Sequence, residues 1–310
     1  MHVLITGSSG LIGKRLVGAL LARGDTVIAV SRRSREATPG VTLVQGDPTH
    51  PGDWQKHVAD CDAAVNLAGE PITEKRWNAT FLEEVKRSRV ESTRLLAHTL
   101  AQQPKRADGS PKCFIAGSAV GYYGKEAWGR DYTETDAPGG DVMAQIGVAW
   151  EAATQAADSA GVRVVNLRTG IVLDRRGGAL PKLALPFKLF VGGPVGHGKQ
   201  YMNWIHHADM TGLILHGLDQ PAVRGAMNAT APSPVTNAEF SKTLAAALHR
   251  PNFLPVPVFA LHILLGQVAE VLAGGQRALP TVAILTGYRF EYDALAPALK
   301  ELYSAEARPK

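Results

Sequence analysis

The stretch HVLITGSSGLIG (His2–Gly13) constrains the fold more than any other part of the chain. It opens with a short apolar run, after which Gly7, Gly10 and Gly13 follow in a G-x-x-G-x-x-G spacing. Leu11, Leu16, Leu20 and Leu21 then recur at helical intervals, so the stretch predicts a strand, a glycine turn and a helix over Leu11–Ala22. The first glycine permits a tight turn, the second lets main chain approach a pyrophosphate, and the third lets the helix pack close to the strand. The unpaired N–H groups at the helix start face the same turn and suit phosphate oxygens. Dinucleotide binding is the expected use of such a unit, against a purely structural turn.

The rhythm continues. Thr26–Val30, Val41–Gln45, Asp62–Leu67, Lys112–Ala116 and Val162–Leu167 read as buried strands, with long helices near Asn78–Gln102 and Val142–Ala160. Such alternation predicts an α/β fold, a Rossmann-type doubly wound parallel sheet with right-handed crossovers. After Ile171 the pattern breaks at Pro181, Pro186, Pro194 and the glycine-rich VGGPVGHGKQ. Residues 1–170 are therefore expected to form the nucleotide domain and 171–310 a smaller α+β substrate lobe. Helices are expected at Asn237–Leu248 and Phe259–Leu272, joined by RPNFLPVPV, and no internal repeat is visible.

Several function classes recede on composition. With 310 residues, 45% hydrophobic and 20% charged, the chain can bury a large core, and no apolar run is long enough to predict a membrane span. The first residues run straight into a strand, unlike a signal peptide, and Cys61 and Cys113 fall in or beside core strands; free thiols and a cytoplasmic location are expected. The +5 charge is scattered, so no nucleic-acid partner is expected, and the ten histidines, His206 and His207 included, show no trustworthy metal-ligand spacing.

The residue after the second strand selects the dinucleotide. A site for NAD places a carboxylate there for the ribose 2′-hydroxyl, whereas this chain has Ser31, Arg32 and Arg33, whose guanidinium groups suit a 2′-phosphate. NADP is the expected cofactor; the other reading is a solvated basic loop.

GSSGLIG, Gly46-Asp47, NLAG (Asn66–Gly69), GSAVGYYG (Gly117–Gly124) and LRTGIVL (Leu167–Leu173) occur in the order of the extended short-chain dehydrogenase/reductases, which the chain resembles over nearly its whole length. NLAGEPI, WEAA, YMNWIHHAD and GQRALP resemble more narrowly an epimerase/dehydratase-like branch carrying a C-terminal domain of unknown function. The resemblance implies a cofactor loop of Gly7, Ser9, Gly10, Leu11, Ile12 and Gly13. It also implies Asp47 at the adenine, Leu67, Ala68 and Gly69 along the adenine-ribose crevice, and Arg168, Gly170 and Ile171 near the nicotinamide. Part of residues 203–230 is expected to return to the first domain.

In the broader family a serine ends the fifth strand and a Tyr-x-x-x-Lys pair on the next helix moves the proton. Ser118 matches the serine, but the register set by Glu151 places Met143 and Gly147 at the pair. A thioether and a glycine cannot exchange protons near neutrality. Tyr122 and Tyr123, on the loop leaving the fifth strand, are the candidate replacements, or else they only shape the pocket. Glu151 either complements a helix dipole or forms an ion pair. Glu70, Arg89, Gln200, Trp204 and His206 are candidate substrate contacts. The expectation is an NADP-dependent oxidoreductase or epimerase-like enzyme acting on a small polar compound, nucleotide- or sugar-linked ones included. The alternative is a protein that keeps NADP as a structural or redox-sensing ligand and acts through a protein partner. Pairing of two chains through the two long helices is expected by analogy alone.

Overall fold

The computed structural model describes residues 1–33, 38–72, 75–125, 130–253, 255–256 and 274–304. The expected helix Phe259–Leu272 lies outside them. Strands β1 (His2–Thr6), β2 (Thr26–Ser31), β3 (Val41–Gln45), β4 (Ala63–Asn66) and β5 (Cys113–Ala119) alternate with helices α1 (Leu11–Ala22) and α2 (Ala79–Gln102). There follow β6 (Asp131–Tyr132), α3 (Val142–Ala152), α4 (Gln155–Ser159), β7 (Arg163–Thr169), β8 (Ile171–Leu173), α5 (Leu180–Lys188), β9 (Tyr201–Met202) and β10 (Trp204–His206). Beyond these come α6 (His207–Asp219), β11 (Gly225–Ala229), β12 (Val235–Thr236), α7 (Asn237–Leu248) and β13 (Arg277–Ala278), with short helices at Thr281–Leu285 and Leu295–Ser304.

One parallel sheet of seven strands runs β11-β7-β5-β4-β1-β2-β3. Its central strands β1, β4 and β5 are almost wholly buried because helices cover both faces. Val3, Ile5, Val65 and Ile115 point to one face, under Leu16 and Leu20 of α1 and Leu213 and Ile214 of α6. Leu4, Ala64, Phe114 and Val164 point to the other, under Leu96 and Leu100 of α2. Chain order reverses between β1 and β4, so the crevice for a ligand opens beyond their carboxyl ends. Residues 207–229 lie with this sheet: β11 pairs with β7, and α6 packs on α1. A separate core of Leu173, Phe187, Trp204, Phe240, Leu244 and Leu299 holds the second lobe.

The expected helix Val142–Ala160 is two helices. The Thr154 hydroxyl donates to the Glu151 carbonyl at 2.7 Å and its N–H to the same oxygen at 3.1 Å, which tightens the last turn of α3 before α4 starts. The fifth strand extends to Ala119, so Ser118 sits inside it. No helix among the described residues is long and apolar enough to cross a membrane.

Candidate active site at the sheet's switch point

The glycine loop is pressed against the exit of β4. Gly7 has φ +74°, and a Cβ there would stand 2.6 Å from the Leu67 carbonyl carbon. One on Gly13 would stand 2.3 Å from the Gly7 oxygen, so neither position admits a side chain without moving main chain. Asn66 sets this exit: its Oδ1 accepts from Thr6 Oγ1 at 2.5 Å and from the Ala68 N–H at 3.2 Å, while its amide donates to Thr93 Oγ1 at 2.8 Å. Nothing in the sequence singled Asn66 out, although its place in NLAG was the available signal.

Above the loop lies a cleft of about 750 Å³. Gly7, Ser9 and Gly10 form its floor, Ser31, Arg32 and Arg33 one wall, and Asp47 with Leu67, Ala68, Gly69 and Glu70 the other. Arg32 and Arg33 are exposed, so their guanidinium groups are free to turn inward. Burial raises the Asp47 carboxyl, but hydrogen bonds from Thr49 at 2.7 and 2.9 Å outweigh it and hold the group below its usual range, as an anion. Arg87, Ser88 and Glu91 of α2 also line the cleft and were not expected there. Leu11, Ile12 and Gly13 lie beside it on α1 rather than along it.

A second assembly stands at the ends of β5 and β7. Ser118 donates to Glu151 Oε1 at 2.7 Å, and Arg168 grips both oxygens of the same carboxylate, Nε at 2.8 Å and Nη2 at 2.9 Å. Arg168 Nη1 donates to the Tyr123 hydroxyl at 2.9 Å, and that hydroxyl's one proton is shared between Asn228 Oδ1 and the Thr133 carbonyl. Burial opposes the Arg168 cation, yet the Glu151 carboxylate more than compensates, and the group is held above its usual range. Burial pushes the Tyr123 phenol up to about 12. Arg168, expected near the nicotinamide, is buried, with its guanidinium bonded to Glu151, Tyr123 and the Glu134 carbonyl. Glu151 lies in the last turn of α3, where it serves the ion pair and not the helix start.

Tyr122 differs from its neighbour. Both lie on the 3₁₀ turn Val120–Tyr123, but the Tyr122 hydroxyl has no hydrogen-bond partner among the described residues. Its ring is held by the Arg168 guanidinium, 3.5 Å from its centroid, and edge-on by Tyr123. The seat of this turn is α3. A Cβ on Gly147 would lie 3.2 Å from Tyr122 Cα, and one on Gly121 would lie 3.6 Å from Met143 Cβ. The two residues standing where the family pattern has its tyrosine and lysine thus form the surface on which Tyr122 rests.

Four of the expected substrate contacts are engaged with partners inside the protein. Trp204 is fully buried in the second lobe's core and donates to the Ser233 carbonyl, and Gln200 is buried, donating to the Val195 carbonyl. His206, also buried, caps α6: its Nδ1 accepts from the Ala208 N–H, which leaves the proton on Nε2 to be donated to Glu301 at 3.1 Å. That tautomer removes the lone pair a cation needs, although His206, His207 and Glu301 lie close together. Arg89 is pushed down to about 10 by burial and donates to the Glu70 carbonyl at 3.0 Å, so it buttresses the Gly69–Glu70 corner rather than reaching out. Gly170 and Ile171, expected near the nicotinamide, sit at the join of the lobes: a Cβ on Gly170 would lie 2.4 Å from the Asn203 oxygen, and the Ile171 N–H donates to that oxygen.

Residues 3–229 match the NAD dependent epimerase/dehydratase family, and residues 256–302 match a domain of unknown function, DUF1731. The chain belongs to this epimerase/dehydratase family. It is 40% identical over 307 residues to the human epimerase family protein SDR39U1, covering 97% of this chain and 99% of the human one. The crystal structure of that human protein with NADPH superposes with a TM-score of 0.84 at 38% identity, over 98% of this chain and 99% of the other. A nucleoside-diphosphate sugar epimerase from Corynebacterium glutamicum superposes with a TM-score of 0.78 at 32% identity, over 98% of this chain but 58% of that one.

Proposed function

We propose that the chain is an NADP-dependent oxidoreductase or epimerase-like enzyme acting on a small polar carbonyl or hydroxyl compound, nucleotide- and sugar-linked ones included. The observation that carries this reading is the cleft itself: a glycine loop with no room for side chains runs into Ser31, Arg32 and Arg33, where an acidic residue would be needed for NAD. The NADPH held by the human relative supports it. Main-chain N–H groups at the start of α1 would receive the diphosphate, Arg32 or Arg33 the 2′-phosphate, and Asp47 the adenine. When bound, the nicotinamide supplies or removes a hydride. Tyr122 holds the proton that must move with it, on its free hydroxyl, while Ser118, Glu151 and Arg168 keep the ring in place. A pairing of two chains through α2 and α3 fits the exposed Val142 and Val148 on α3, and the buried thiols of Cys61 and Cys113 fit a reducing compartment such as the cytoplasm.

Because Ser118 and Tyr123 are both committed to internal partners, a second reading remains: an NADP-retaining, redox-sensing protein that acts through a protein partner. It requires NADPH and NADP⁺ to bind with different affinities. Calorimetric titration with NADPH, NADP⁺ and NADH tests both. The enzyme reading expects NADPH to bind at least about tenfold tighter than NADH. Arg32→Ala with Arg33→Ala should weaken NADPH by about 1.5–3 kcal/mol, the worth of a charged hydrogen bond, and leave NADH unchanged. Equal uptake of NADPH and NADH, or none, would overturn the cofactor assignment.

A further inference from the structure

The domain of unknown function enters the site by one short strap, residues 275–282. Gln276 donates from its side-chain amide to the carbonyl of Val120, the first residue of the turn that carries Tyr122. The strap is fixed on both sides of that contact. Asn203 donates to the Gln276 carbonyl at 2.8 Å and accepts from the Ala278 N–H at 3.0 Å. Further along, Asn228, which also binds the Tyr123 hydroxyl, donates to the Leu279 carbonyl at 2.8 Å. The Val282 N–H reaches Glu134 Oε1 at 3.1 Å, and Arg277–Ala278 pairs in parallel with Asp131–Tyr132. Where the strap begins, Gly275 passes so near the Tyr201 carbonyl that a Cβ would stand 2.1 Å from its oxygen, so its path is set by main-chain contact.

We propose that this strap is a positioning element of the active site and that Gln276 is its positioning residue: by holding the Val120 carbonyl it sets where the Tyr122 hydroxyl stands. The physical reason is leverage. The turn is anchored on one side by α3, at Gly147 and Met143, and Tyr123 is anchored to Asn228 and Arg168. Gln276 supplies an anchor at the turn's start, from a residue 156 positions away in sequence. Without a donor there, the half-buried carbonyl of Val120 loses that side-chain partner and the start of the turn is free to rotate about the Tyr123 anchor. The C-terminal unit thereby couples the second lobe to the geometry of the tyrosine. This inference rests on the reading of Tyr122 as proton donor only for its kinetic consequence; the geometric claim stands by itself.

The test places 3-fluorotyrosine at position 122 of the full chain and compares the wild type with Gln276→Met, which keeps the length and removes the donor, and with Gln276→Glu, which keeps the shape. Arg277→Ala, on the same strap but bonded to the exposed Asp131, is the control. The fluorine resonance is expected to shift or split in both Gln276 variants and to stay put in the control. On any carbonyl compound the wild type reduces, kcat should fall on the order of ten- to a hundredfold with KM and NADPH affinity within about twofold, as for a misplaced reacting group. A fluorine resonance unmoved in folded Gln276→Met overturns the proposal. If the wild type reduces nothing, the proton-donor reading fails and the fluorine shift alone decides the strap. Should both variants fail to fold, hydrogen exchange on the unaltered protein decides. The Gly124 and Leu279 amides are expected to open as one unit, and independent opening overturns the coupling.

Discussion

The two ends of the site are built in opposite ways. At the cofactor end, floor and walls come from short stretches that each follow a strand: Gly7–Gly10 after β1, Ser31–Arg33 at the end of β2, Leu67–Glu70 after β4. The cleft is open, its arginines exposed, and its shape depends on main chain. At the other end, Ser118, Glu151, Arg168, Tyr123 and Asn228 form one hydrogen-bonded chain whose members are joined across sheet, helix and turn. Local backbone chemistry can be carried by a motif, whereas the Tyr122–Tyr123 turn of this molecule is held by a network that no single stretch contains.

This contrast can be broken by substitution. Glu151→Gln removes one partner of a buried, bidentate ion pair, and such losses cost about 3–5 kcal/mol. Denaturant unfolding should register that loss while NADPH affinity in the folded protein stays near wild type; a variant of wild-type stability would dissolve the network. Gly13→Ala should act on the other end. Its new methyl meets the Gly7 oxygen, and overpacking of this kind costs about 1–3 kcal/mol, read as weaker NADPH binding with the Ser118–Glu151–Arg168 assembly intact. Unchanged affinity would mean the loop is not the phosphate cradle.

The smallest effect belongs to neither end. Burial holds His206 and His207 neutral, with pKa values pushed down to about 4, in spite of the nearby carboxylates Asp174 for both, Glu291 at His206 and Glu301 at His207. A group of depressed pKa takes up its proton in the unfolded chain first, so folded stability is full above the ordinary value of 6.5 and declines as pH falls from 6.5 toward 4. His206→Asn, which can still cap α6 through its Oδ1, should flatten part of that decline in melting temperature and leave cofactor affinity untouched. A slope as steep as the wild type's would remove His206 from the account.

Much of the sheet was legible because parallel strands covered on both faces leave unbroken apolar runs, and because glycine spacing reports backbone approach directly. The return of α6 and β11 to the first sheet came from the resemblance and not from periodicity. The second lobe was misread for a physical reason: GHGKQYMNWIHHAD has the polar and aromatic content of a ligand-closing loop. Its strand β10 nevertheless turns Trp204 and His206 inward, where internal partners satisfy their polar atoms. Tyr122 and Tyr123 are equivalent on paper, since adjacent residues of a 3₁₀ turn differ in direction and not in type. The burial of one and the freedom of the other depend on Asn228 and Arg168, which lie far along the chain. Gln276 was invisible for the same reason.

The central claim is that a tyrosine on the Val120–Tyr123 turn, seated on Gly147, stands in for the missing pair. The direct measurement follows NADPH oxidation across a panel of aldehydes, ketones and nucleotide sugars with wild type, Tyr122→Phe and Tyr123→Phe. The account predicts that Tyr122→Phe loses on the order of a hundredfold to ten-thousandfold in rate, the worth of a general acid, at unchanged NADPH affinity. Tyr123→Phe should lose about 1–3 kcal/mol of stability from its unpaired buried partners yet keep most of its turnover. A Tyr122→Phe variant that works at the wild-type rate, or a loss confined to Tyr123→Phe, would contradict it.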